Sequence, residues 1–341
     1  MLVESKQVIL VTGATGYIGS RLLHELLLRF GDGWRIRALV RHGSSKEALE
    51  VLPVELVYGD LMDPVSLIEA CQGVSVVFNC AGHIAYSRNQ LGVLYNVNVR
   101  GTAALVDACL ECGVGRLVHT SSVAAIGVAP KGLPATEETT FREWQHRIAY
   151  MESKHLAEME CMRGVAEGLE VVMVNPAVVV GRGRTAGGVE NASTRAIRDI
   201  YMGRIPVYPS GGISLVGIDD VVQAHIAAWQ NGVSANRYII TAGNYSFREL
   251  FTTVRQLPGG SGKPVFEAAL AFQKLAGMAG ELFALVTGGR PYISVESMRL
   301  AREQLFYSNQ RSLTELEIQY QSVEEVLSSI LGDAFSSQSS L

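Results

Sequence analysis

Cysteine, proline and tryptophan are scarce in this chain, with five, ten and three among 341 residues. The cysteines (Cys71, Cys80, Cys109, Cys112 and Cys161) are odd in number and lack framework spacing, which argues against a disulfide-stapled fold. Cys109 and Cys112 form a CxxC, but it lies inside the helical pattern ALVDACLECGVGR, with no second Cys/His pair to complete a zinc site. They read as buried thiols of a reducing cytosol, and no metal is expected. A surplus of positive charge is also missing: 29 Lys and Arg stand against 33 Asp and Glu, a net charge of −4. No basic stripe marks a nucleic-acid partner. Long apolar runs are interrupted. The stretch from Val265 to Thr287 is broken by Glu267, Lys274 and Glu281, so it reads as one or two packed helices rather than a membrane span. Contact of that stretch with a membrane surface or a lipid-like substrate stays open. The opening MLVESKQVILVTG enters a strand at once, leaving no room for a signal peptide, so a cytoplasmic location is expected.

What is present is a core. Hydrophobic residues make up 48% and charged residues 18%, enough for one large domain or two coupled ones. Short β-rich runs alternate with helical patterns over the first 175 residues. The strands are VILVT (8–12), WRIRALV (34–40), VELVY (54–58), VSVVFN (74–79), RLVHTSS (116–122) and LEVVMVN (169–175). Near-continuous apolar strands separated by helices imply an α/β fold with a parallel sheet covered on both faces, and right-handed crossovers make it doubly wound. After Pro176 the rhythm changes. RGRTAGGVENAS reads as a loop, ISLVGIDDVVQAHIAAW as a strand turning into a helix, RYIITAG as a strand, and SFRELFTTVRQL as a helix with a serine N-cap.

Residues 11–19 read VTGATGYIG, placing Gly13, Gly16 and Gly19 between the first strand and the first helix. The first glycine permits a tight turn, the second lets backbone approach a pyrophosphate, and the third allows close helix packing. At the start of a βαβ unit this marks a dinucleotide site. Arg41 then stands twenty-two positions after Gly19, where an acidic residue would select NAD. A guanidinium there attracts a 2′-phosphate and favours NADP(H) over NAD(H), with Lys46 and the Ser44–Ser45 pair placed to assist. A solvated residue after a strand is the alternative for Arg41. Asp60, in VYGDLMD, can accept from an adenine amino group or simply cap a turn.

Tyr150 and Lys154 form a YxxxK pair in AYMESKHLAEME, one turn apart on a helix face. A nearby ammonium stabilises a phenolate and so equips a tyrosine for acid–base work. Ser121 and Ser122 end the fifth strand in HTSSVAAIG, at the edge where such folds bind ligands. Either hydroxyl can bond a substrate carbonyl oxygen or merely cap local backbone.

TGATGYIG, GDLMD, NCAG, NVNVRGT, HTSS, YMESK and NPAVVVG occur in order. In this the chain resembles the extended short-chain dehydrogenase/reductase (NAD-dependent epimerase/dehydratase) family over about residues 7–331. Within it the chain looks like the dihydroflavonol 4-reductase and 3β-hydroxysteroid dehydrogenase-like group, which includes bacterial members named as sugar epimerases. The resemblance implies cofactor contacts at Gly13, Thr15, Gly16, Tyr17, Ile18, Gly19, Arg41, Asp60, Leu61, Cys80, Ala81, Gly82, Ser121, Tyr150, Lys154, Pro176 and Val178, with Asn175 beside Pro176. It assigns catalysis to Ser122, Tyr150 and Lys154, with Ser121 the alternative serine. It implies residues 1–176 as an NADP-binding Rossmann domain, to which 213–231 returns. Residues 177–331 are then mostly a smaller α+β substrate lobe, and 332–341 a disordered tail. Asn79–Cys80 replaces a histidine that many members carry, and VVVGRGR stands where sugar-nucleotide epimerases usually have Tyr-Gly-Pro.

The expected function is an NADP-dependent carbonyl reductase or secondary-alcohol dehydrogenase acting on a fairly apolar small molecule. Ile84, Tyr86, Ile126 and Val178 are the candidate pocket walls. Two other functions stay open: an NDP-sugar epimerase or dehydratase that retains its nicotinamide, and a non-catalytic NADP-binding protein. Arg182, Arg184 and Arg195 are the candidates to grip a sugar-linked diphosphate. Helices of such folds often pair, so a homodimer is also entertained.

Overall fold

The computed structural model describes residues 7–44, 46–85, 90–130, 132–146, 148–182, 191–269 and 295–332. Its strands are β1 (Val8–Thr12), β2 (Arg35–Val40), β3 (Glu55–Tyr58), β4 (Val76–Asn79), β5 (Arg116–Thr120), β6 (Glu170–Pro176), β7 (Val178–Val180), β8 (Val207–Tyr208), β9 (Gly212–Gly217), β10 (Arg237–Ile240), β11 (Gly243–Ser246), β12 (Phe266–Glu267) and β13 (Gln304–Leu305). The helices needed below are α1 (Tyr17–Phe30), α2 (Glu47–Glu50), α3 (Pro64–Cys71), α4 (Leu91–Tyr95), α5 (Gly101–Glu111), α6 (Ala149–Ala166), α7 (Ala192–Tyr201), α8 (Ile218–Asn231) and α9 (Phe247–Gln256).

Seven strands form one parallel sheet in the order β10-β6-β5-β4-β1-β2-β3. All five residues of β1 are buried, as a central strand covered on both faces requires. Ile9 and Val11 pack with Leu22, Leu23 and Leu26 of α1 and with Val221 and Val222 of α8. Val8 and Leu10 pack on the opposite face with Leu67 of α3 and with Leu105 and Val106 of α5. The strand order reverses between β1 and β4, and folds of this kind bind ligands in the crevice outside the carboxyl ends of the strands at such a switch point. The doubly wound architecture expected from the sequence is therefore present.

A second sheet holds β11, β9 and β13, with β7 joined to β9. It packs with α7, α9 and the helix Val323–Gly332 around Ile197, Leu215, Phe251 and Leu327. Segment 213–231 divides between the two bodies. Its strand, β9, is held in the second sheet, while its helix, α8, lies on the main sheet. The strand that rejoins the main sheet is β10, at its edge. That edge is covered: the Glu137 carboxylate accepts the Ile239 N–H at 2.9 Å, which keeps the strand from pairing with another chain.

Ser246 caps α9 in a reciprocal capping box with Glu249. Cys109 lies in α5 and Cys112 caps its end, donating to the Ile68 carbonyl at 3.4 Å. Among the described residues no helix is long and apolar enough to cross a membrane. Ser45, Tyr86, Arg184, residues 270–287 of the apolar stretch and the tail beyond 332 lie outside the described residues.

Candidate active site

The first turn of the site is a backbone crossing. Gly13 adopts φ +63°, and a Cβ there would stand 2.6 Å from the Ala81 nitrogen. One on Gly19 would stand 2.2 Å from the Gly13 oxygen. Neither position admits a side chain while β1, α1 and the segment after β4 stay this close. Gly16 is the N-cap of α1, which has no side-chain cap and no acidic residue in its first turn. The positive end of its dipole therefore points at this turn, where an anion is favoured. Thr15 is half-buried beside them, and Ile18 packs on the core. The Tyr17 phenol donates to the Gly181 carbonyl at 2.9 Å, tying the turn to the segment after β7.

A groove of about 520 Å³ runs past the ends of β2 and β3, bordered by Arg41, His42, Ser44, Gly59 and Asp60. Arg41 is exposed directly after β2. His42 stacks on Tyr58, with centroids 4.8 Å apart and planes 11° apart. Lys46 is engaged elsewhere: it donates to the Tyr58 hydroxyl at 2.6 Å and pairs with Glu50 of α2 at 3.0 Å. Asp60 makes a turn, its carboxylate accepting the Met62 N–H at 2.9 Å. Leu61 is buried against Gly101 at the start of α5, so its side chain faces the core.

The other half of the crevice is built on α6. Tyr150 and Lys154 are both buried, one turn apart. Ser122, half-buried, caps the turn after β5 by accepting the Ala124 N–H at 3.2 Å. It also hydrogen-bonds the Tyr150 phenol, which lowers the phenol's pKa, while burial, the larger effect, raises it. The Lys154 ammonium donates to the Thr120 carbonyl at 2.9 Å. Burial pulls its pKa down to about 8, against the pull of the Glu158 carboxylate. A Cβ on Gly82 would sit 3.5 Å from the Lys154 nitrogen, so backbone after β4 closes over the ammonium. Cys80 accepts from Thr120 at 3.4 Å, and burial pushes its thiol up to about 11, so it stays protonated. Asn175 and Pro176 are buried at the end of β6, and Val178 is half-buried in β7.

The two serines separate here. The Ser121 hydroxyl donates to Glu158 at 2.5 Å within the core, leaving Ser122 as the one beside the phenol. Of the pocket candidates, Ile84 is exposed, whereas Ile126 is wholly buried against Ala135, Ile239 and Tyr307. Arg182 donates to the Ser329 carbonyl at 3.2 Å, and Arg195 is exposed on α7.

Several polar groups of the site escaped sequence reasoning. Asn98 lies in a π-helical turn, Asn96–Arg100, between α4 and α5. It accepts the His83 N–H at 2.7 Å and donates to the His83 carbonyl at 2.9 Å and to Ser153 at 3.0 Å, clasping the segment after β4 to α6. NVNVRGT held that residue, but nothing in the string marks it as buried. Beneath the crevice, Thr12 donates to Asn79 at 2.6 Å and Asn79 bonds His119 at 3.0 Å. Thr120 bonds His225 at 2.7 Å.

The chain matches the model of the NAD dependent epimerase/dehydratase family over residues 9–241. A protein of Synechocystis sp. provisionally named dihydroflavonol 4-reductase is 30% identical over 93% of this chain and 91% of its own. Sterol demethylase protein B of Methylococcus capsulatus is 33% identical over 73% of this chain and 74% of its own. The crystal structure of gox2253 superposes with a TM-score of 0.80 at 30% identity, covering 98% of this chain and 99% of that one. The chain belongs to the NAD dependent epimerase/dehydratase family and is an NAD(P)-dependent enzyme of the oxidoreductase type.

The buried histidines give the site a pH limit. Burial lowers His119 to about 3 and His225 to about 4, so both are neutral when folded and gain protons near pH 6.5 only when unfolded. Their stabilising contribution is complete above that pH and is lost as pH falls toward the folded values. Acidification from about pH 6.5 to about pH 5 is expected to cost about 1.5 kcal/mol for each histidine. His225→Gln should flatten the dependence by one proton in urea titrations across that range. An unchanged slope would show that His225 is not neutral in the fold.

Proposed function

We propose that this family member is an NADP-dependent carbonyl reductase or secondary-alcohol dehydrogenase in which Ser122, Tyr150 and Lys154 carry the chemistry. The observation that carries this reading is the buried Tyr150 phenol, hydrogen-bonded to Ser122 and one helical turn from an ammonium. The residues around the crevice fit a dinucleotide. The N-terminal end of α1 and the close-packed backbone of Gly13 to Gly19 suit the diphosphate. Arg41 suits a 2′-phosphate, and Asp60 and the Leu61 backbone suit the adenine. Cys80, Ala81, Gly82, Pro176 and Val178 border the nicotinamide end, and the backbone of Ser121 lies beside them. Bound NADPH supplies the hydride.

The protein's part is to manage the oxygen. Ser122 and Tyr150 together hold the substrate carbonyl oxygen, and their bonds strengthen as negative charge builds on it. Burial keeps the phenol protonated at neutral pH, the form that can donate. Its proton passes to the oxygen as the carbon is reduced, giving the alcohol. The phenolate left behind is stabilised by Lys154 and regains a proton from solvent. At the start of α6 a cavity of about 500 Å³ is lined by apolar residues such as Val128, Ile148 and Leu300 and by four charged ones, Arg142, Glu143, Arg299 and Glu303. That lining suits a substrate with an apolar body and several polar groups. The names of the relatives, a dihydroflavonol reductase and a sterol demethylase protein, support reduction and apolar ring substrates.

Arg41 gives the first test. A charge-assisted arginine–phosphate bond contributes about 1.5–3 kcal/mol, so Arg41→Ala should weaken NADPH binding by roughly 10–100-fold and leave NADH nearly unaffected. Fluorescence titration with both cofactors reads this directly, and equal affinities in the unaltered protein would refute the NADP preference.

Tyr150→Phe tests the chemistry. On a ketone or aldehyde found in a screen with NADPH, its turnover should fall by roughly 10²–10⁴-fold while NADPH still binds. Near-full turnover in the variant would remove Tyr150 from the mechanism. NDP-sugars followed by NMR belong in the same screen, and their epimerisation without net NADPH loss would replace the reductase reading.

A further inference from the structure

We propose that Glu158 is the buried counter-charge that holds the Lys154 ammonium in the site, a positioning residue one turn further along α6. This rests on the reading of Lys154 as the partner of Tyr150.

Tyr150, Lys154 and Glu158 recur every fourth residue, so they share one face of α6, and all three are buried. Glu158 is 2% exposed. A carboxylate this deep requires every lone pair to be engaged. One oxygen accepts from the Ser121 hydroxyl and the Asn175 amide, each at 2.5 Å. The other accepts from Arg237 of β10 at 3.2 Å. The Asn175 amide also donates to the Ser122 carbonyl at 3.0 Å, so the carboxylate is braced against the turn that carries the reacting serine. Arg237 is fixed in turn by the carbonyls of Glu137 and Thr139, at 2.5 Å and 3.2 Å.

A purely architectural ion pair would need only Arg237. Glu158 pairs directly with Arg237 and lies one turn along the same buried face from Lys154, where its charge opposes the effect of burial on the lysine. The other groups that act on the lysine carry no negative charge at neutral pH. Cys80 from the end of β4 and Cys161 from α6 are thiols that burial keeps protonated. His119 of β5 is neutral, and the Thr120 carbonyl is a dipole only. Tyr150 is a protonated phenol. Without Glu158, burial is opposed only by the Thr120 carbonyl dipole and favours the uncharged amine, which can neither stabilise a phenolate nor donate as strongly to a ribose hydroxyl.

The test is pH-dependent acetylation of Lys154 by acetic anhydride in the cofactor-free protein, read by mass spectrometry. The unaltered protein should show a midpoint of about 8. Glu158→Gln, which keeps the shape and an acceptor for Ser121 and Asn175, should lower the midpoint by about one unit or more. At a fixed pH below the midpoint that raises the labelling rate about tenfold. Arg237→Gln removes the opposing cation and should move the midpoint upward. Opposite shifts support the proposal. An unchanged midpoint in Glu158→Gln, with only a loss of thermal stability, would reduce Glu158 to an architectural role. Should Glu158→Gln fail to fold, Arg237→Gln decides alone, and a midpoint that stays or falls overturns the proposal. The labelling needs neither substrate nor cofactor, so its result is independent of whether the carbonyl screen succeeds.

Discussion

The active crevice depends on how α6 seats its polar face against the carboxyl ends of β5 and β6. A helix carrying a phenol, an ammonium and a carboxylate on one buried face folds only if each head group finds a partner there. Ser122 meets the phenol, and the Thr120 carbonyl meets the ammonium. Ser121, Asn175 and Arg237 meet the carboxylate. Those partners come from the end of β5, the end of β6 and the edge strand β10. The same contacts that make α6 tolerable in the core therefore fix the position of the groups proposed to react. Asn98 does the equivalent work from the other side, joining the segment after β4 to Ser153 of α6.

Features governed by local chemistry were legible in the sequence. The central strands are continuous apolar runs because both faces are covered, and the glycine spacing reports a backbone crossing that no Cβ can enter. The YxxxK pair is visible because one helical turn separates its members. Features governed by distant contacts were not. Glu158 and Arg237 are far apart in the chain, and charged residues are rarely this buried, so neither stood out from a solvated face. The choice between Ser121 and Ser122 turns on which hydroxyl Glu158 captures, which no local pattern contains. Ile126, a candidate pocket wall for its apolar side chain, closes a small cluster with Ala135, Ile239 and Tyr307 instead. Lys46 looked like a helper of Arg41 until Glu50 and Tyr58 claimed it.

A buried, protonated tyrosine and an arginine after β2 fit one direction of chemistry in particular. A reductase needs a proton donor at neutral pH and a cofactor that is supplied reduced and released oxidised. An epimerase needs a nicotinamide that never leaves. The account is tested most directly by supplying NADPH deuterated at the transferable C4 position together with a hydrophobic ketone or aldehyde. It predicts deuterium on the new carbinol carbon, in one stereochemical sense, with one NADP⁺ released per alcohol formed. Label that remains on a protein-bound nicotinamide, with no alcohol formed and an NDP-sugar inverted at one carbon, would contradict it.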